Sequence, residues 1–118
     1  MAQIRNINGE NNTYMNTNMI LSMVSLATKE IPGVIDVYQS TKLTLRRLFD
    51  KNIGKGVRIR NTQNGILIDI YVIVSTEVEV NDVVYKIQQN VKNSLTSLIP
   101  IKIKAINVHI KDAEKTSL

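Results

Sequence analysis

His109 and Asp69 are the residues here whose types best suit proton chemistry. In a Ser-His-Asp relay the imidazole takes a proton and the carboxylate fixes its tautomer. Such a relay also needs a serine on a sharp strand-to-helix turn, and the chain has no GxSxG. His109 is the one histidine, and there is no cysteine. A His-pair metal site and thiolate ligands are therefore excluded. The plain reading of His109 is a polar side chain on the wet face of a strand. Asp69 sits within an apolar run, where a carboxylate needs a partner; Arg58 or Arg60, across a hairpin, could supply it. A structural pair is favoured over catalysis. No residue is assigned a catalytic, metal-binding or cofactor-binding role, and no cofactor is expected.

The second chemical feature is the stretch from Leu45 to Arg60. It holds six of the fifteen basic residues against one acid, Asp50. Its Gly54-Lys55-Gly56 is not a phosphate-binding P-loop, because the glycines are too close and no Ser or Thr follows the lysine. Nor does it supply the GxxG of a KH domain. Lys55-Gly56 opening an alternating strand is similar to the start of an RNA-recognition motif, but Val57, Arg58, Ile59 and Arg60 stand where stacking aromatics would be needed. One phenylalanine and four tyrosines leave little for base stacking, so nucleic acid is not the expected partner. The amphipathic piece from Lys42 to Phe49 is short, which makes any membrane contact indirect or weak. The expected interaction surface comprises Arg46, Arg47, Lys51, Lys55, Arg58 and Arg60, with Tyr71, Asn107 and His109 on the exposed sheet face. Glu77 and Glu79 read as solvated.

These residues need elements to hold them. Ala2 to Ile7 reads as a short edge strand. Ile20, Met23, Val24, Ala27 and Ile31 recur at helical spacing behind a cap at Asn16 or Thr17, and Pro32-Gly33 ends that helix. Val34 to Gln39 reads as a strand and Thr41 to Asp50 as a short helix. Val57 and Ile59 alternate with Arg58 and Arg60, and Asn64-Gly65 signals a hairpin. Ile66 to Val74 is apolar almost throughout, as in a central strand. A second helix follows, capped at Asn81, with a stripe of Val83, Val84, Ile87, Val91, Leu95 and Leu98. Ile101 to Ile110 is the last strand. The order β-α-β-(short α)-β-β-α-β predicts a two-layer α+β domain, with a mixed sheet and two main amphipathic helices on one face.

At 118 residues the chain fits a single domain, 1–118: an N-terminal strand and loop over 1–15, a core over 16–111 and a polar tail over 112–118. No apolar run approaches the roughly 20 residues of a membrane span. Met1 to Gly9 has no signal-type stretch. A cytoplasmic protein is expected. The net charge of +5 allows an acidic partner but does not choose one.

Five stretches occur together in order: "EIPGVIDV" (Glu30 to Val37), "GKGVRIR" (Gly54 to Arg60), "IDIYVIV" (Ile68 to Val74), "VYKIQQNVKNSL" (Val84 to Leu95) and "INVHI" (Ile106 to Ile110). Over about residues 16 to 111 the chain thereby resembles the alkaline-shock-protein family of bacterial envelope stress response proteins. Ser75-Thr76, Ile99-Pro100 and Lys111-Asp112 depart from that family's usual residues. The resemblance implies a non-enzymatic protein that forms homo-oligomers and gathers near the membrane through a membrane-anchored adaptor. The alternatives are an RNA-binding module using the basic patch over 42–60 and a regulator linked to fatty-acid or lipid metabolism.

Overall fold

A computed structural model describes residues 17–38, 53–54 and 56–116. The expected strand at Ala2 to Ile7, the short helix over 41–50, and Lys42, Arg46, Arg47, Lys51 and Lys55 lie outside them.

Helix α1 (Thr17–Lys29) buries Ile20, Leu21, Val24 and Ala27. Thr28 is also buried, and its hydroxyl donates to the Val24 carbonyl at 2.8 Å. Strand β1 (Val34–Val37) follows, then a two-residue strand β2 (Ile53–Gly54), then β3 (Val57–Thr62) and β4 (Gly65–Ser75). Two glycines on this path are required by geometry. Gly65 has φ of 119° and a side chain there would press on Lys102 O; Gly56 has φ of 73° and a Cβ would stand 2.8 Å from that of Val37.

Helix α2 (Val80–Leu98) buries Val83, Ile87, Val91 and Leu95. Two expectations change here. Leu98 is 70% exposed, because it falls off the i, i+4 row that faces the sheet. The cap is Glu79 rather than Asn81: the Glu79 carboxylate accepts from the N–H groups of Asn81 and Asp82, so this side chain, exposed to solvent as expected, also closes a helix terminus. Strand β5 (Ile103–Glu114) runs past the expected end at Ile110, since its last residues pair with Ile73, Val74 and Ser75.

β4 organises the sheet. β5 runs parallel along one side of it. β3 and β1, both antiparallel to β4, share the other. They meet at Tyr71, whose N–H donates to Gly56 O and whose carbonyl accepts from Tyr38 N. The even residues Ile66, Ile68, Ile70, Val72 and Val74 are buried against both helices. The architecture is the two-layer α+β arrangement with a mixed sheet, and the odd residues of β4 belong to the opposite face.

Candidate functional site: the uncovered face of the sheet

The pleat places alternate residues on the face away from the helices. Register puts Arg58 opposite Asp69 on one side of β4, and Asn107 beside Asp69 and His109 beside Tyr71 on the other. Five of the nine expected surface residues, Arg58, Arg60, Tyr71, Asn107 and His109, thus share one face. The other four fall among the undescribed residues.

Asp69 is the centre. It is 5% exposed, yet its carboxylate is fully engaged. Arg60 Nη2 donates to Oδ2 at 3.1 Å. Asn107 Nδ2 donates to Oδ1 at 3.1 Å. His109 Nε2 also lies 3.1 Å from Oδ1. An ionised carboxylate only accepts, so His109 carries its hydrogen on Nε2. Burial raises the pKa of Asp69, but the bonds from His109 and Asn107 and the charge and bond of Arg60 outweigh it. They hold the carboxyl below its ordinary value.

The His109 ring stacks on Tyr71, with centroids 4.6 Å apart and planes 14° from parallel. Lys111 Nζ stands 5.7 Å from the Tyr38 ring centre. Composition and spacing give no sign of that last contact, because it depends on an extra residue in β5 between Ile110 and Asp112. A recessed, neutralised carboxylate is therefore surrounded by guanidinium, amide, imidazole and phenol groups from three strands. His109 contacts both Asp69 and Tyr71, so the carboxylate–imidazole pair is present and spans two strands. Among the described residues no group of His, Asp and Glu is placed to hold a metal.

A second concavity of about 660 Å³ opens between α1 and β1, lined by Ser22, Leu26, Lys29, Asp36, Tyr38 and Ile73. The ion pair in it, Lys29 to Asp36 at 3.9 Å, is exposed and contributes little. Among the described residues no helix is long and apolar enough to cross a membrane.

Two variants of the MamM CTD share this fold, each with a TM-score of 0.50. One is 18% identical and the match covers 82% of this chain and 98% of that one; the other is 17% identical, covering 83% and 98%. At such identity the likeness concerns fold alone. In sequence, the uncharacterized protein YqhY of Bacillus subtilis is 30% identical over 89 residues, 75% of this chain and 66% of YqhY. The uncharacterized protein Spy1614 of Streptococcus pyogenes is 28% identical over 101 residues, 83% of this chain and 84% of that protein. The matched stretch thus spans just under two thirds of YqhY and most of Spy1614. A family model described by a cell envelope-related function matches residues 5–114. The chain belongs to the alkaline-shock-protein family, whose function is related to the cell envelope.

Proposed function

We propose that this chain is a non-enzymatic, cytoplasmic protein of the envelope stress response. It acts as a self-associating scaffold that binds a membrane-anchored adaptor. One observation carries the reading: the sheet face away from the helices holds a rigid polar cluster whose central carboxylate is fully satisfied by its own neighbours. Catalysis wants an acid, base or nucleophile left poised. A docking surface wants fixed side chains that lose little entropy when a partner arrives. Arg58, Lys111 and the Tyr71–His109 stack are of the second kind, cationic and aromatic groups on a stiff sheet. Such a surface suits an acidic protein segment.

The test is binding of the purified chain to an acidic adaptor segment, with single-stranded RNA and anionic vesicles as competitors, at rising salt. The reading expects protein binding that outlasts the RNA complex. A phosphate-driven complex loses affinity steeply with salt; tight, sequence-selective RNA binding with no protein partner would overturn the proposal in favour of the RNA-binding alternative.

A further inference from the structure

The outer side of β5 is a strand edge with no partner strand among the described residues. Its polarity can be read from the ladder. Ile66 N–H donates to Lys102 O at 2.9 Å and Thr76 N–H to Glu114 O at 3.0 Å, so even residues of β4 face β5; Tyr71 N–H turns the other way, to Gly56 O. Ile68, Ile70 and Val72 are in register with Ile106, Val108 and Ile110. In a parallel ladder each of these β4 residues bonds to the neighbours of its partner. Ala105, Asn107, His109 and Lys111 therefore bond inward, and the N–H and C=O groups of Ile106, Val108 and Ile110 point outward. Gln88 marks this side: from α2 its Nε2 donates to Ile106 O at 2.9 Å.

Three features describe what would cover such an edge. Its core-facing side chains are incompletely covered: Ile106 and Val108 are half-buried and Ile110 is 37% exposed. Tyr85, one turn before Gln88 on the same flank of α2, is 60% exposed. The charges along the strand are also uneven, with Lys102 and Lys104 near its start and Lys111, Asp112 and Glu114 near its end.

We infer that β5 pairs with β5 of a second copy of this chain, antiparallel, about a two-fold axis at Val108. This rests on the self-association reading and names the surface that performs it. An axis at Val108 is the register that uses all three outward residues. Val108 meets its own copy, and Ile106 meets Ile110 of the second copy in each direction. The Ile-Val-Ile row then continues beneath both helix layers, and beyond the paired segment the end of each strand that carries Lys102 and Lys104 runs beside the end of the other that carries Asp112 and Glu114. Gln88 releases the Ile106 carbonyl to an N–H of the second strand. The register shifts at Lys104 and Lys111 confine the regular edge to 106–110. Such irregularities keep an edge from running on, and a two-fold contact closes at two copies.

The experiment is sedimentation of the full chain over a wide concentration range, with charge variants and a cysteine variant. Wild type should sediment above the 13.3 kDa chain mass. Lys104→Asp and Asp112→Lys should each weaken association about tenfold, since each turns two attractions into two repulsions. The combined Lys104→Asp/Asp112→Lys chain should recover it, which also shows that the single variants had folded. The chain has no cysteine, so Val108→Cys places one thiol at the axis. Cα atoms of a hydrogen-bonded antiparallel pair stand about 5.5 Å apart, within disulfide reach. It should form a disulfide dimer at least about tenfold faster than Thr96→Cys, at an exposed position on α2. If wild type associates while every variant matches it and Val108→Cys links no faster than Thr96→Cys, the edge assignment is wrong and self-association stands. If wild type stays monomeric and Val108→Cys fails to link, both fall.

Discussion

Arg60 reaches Asp69 on the diagonal, Nη2 to Oδ2 at 3.1 Å, although the ladder places Arg58 directly opposite that aspartate. The diagonal contact leaves Arg58 free of the carboxylate and turns Asp69 into a hub for β3, β4 and β5. Asp69→Ala should therefore cost about 1–3 kcal/mol, the range for leaving recessed polar partners unmet. Urea unfolding measures it. Arg58→Gln should shift the same midpoint little, and equal losses for the two would contradict the hub.

Acid should expose the same carboxylate. Burial pushes Asp69 up, but its three donors prevail and set it below the ordinary 3.8. Between that lowered folded value and 3.8 the unfolded chain binds more protons, so stability rises with pH across this window. The contribution is complete above it and is lost as pH falls through the folded value. Unfolding free energies from pH 2 to 6 should show wild type and Asp69→Asn converging at the acid end. A constant gap would show that the charge of Asp69 contributes nothing.

In the core, Ile87 is fully buried with Val91 and Leu95 against Ile68, Ile70 and Val72. Ile87→Ala should cost about 2–5 kcal/mol. A loss below roughly 0.5 kcal/mol would mean that α2 does not pack as described.

Glu79→Ala removes the acceptor for two helix N–H groups and should lower stability by about 0.5–2 kcal/mol. Asn81→Ala should cost less, because Asn81 contributes a capped N–H rather than the cap. Thermal melts of the two variants give the order directly.

Much of the fold is legible along the chain. The run over 66–74, apolar but for Asp69, announces a central strand, and the 3.6-residue stripe from Val83 to Leu95 announces the helix that covers it. The Asn64-Gly65 hairpin sets the register that brings Arg60 to Asp69. Other features depend on distance and are silent in sequence. A capping role for Glu79 looks like a surface charge until the helix start is placed two residues earlier. The Lys111–Tyr38 contact follows from an extra residue in β5, which no periodicity marks. The polar residues 112–114 read as a tail, yet backbone bonding to β4 holds them in the strand whatever their side chains. Leu98 follows the apolar pattern and still faces outward, because it lies off the row of Val83, Ile87, Val91 and Leu95, while Ile99 beside it is buried.

The docking surface proposed for this chain is the helix-free sheet face. The most direct measurement is envelope enrichment of a fluorescently tagged chain in its native cells, comparing wild type with Arg58→Glu/Lys111→Glu. Both side chains stand on that face and neither bonds Asp69, so the melting temperature should stay within a few degrees. The charge-reversed chain should disperse through the cytoplasm while wild type concentrates at the envelope. Unchanged enrichment of a folded double variant would contradict it.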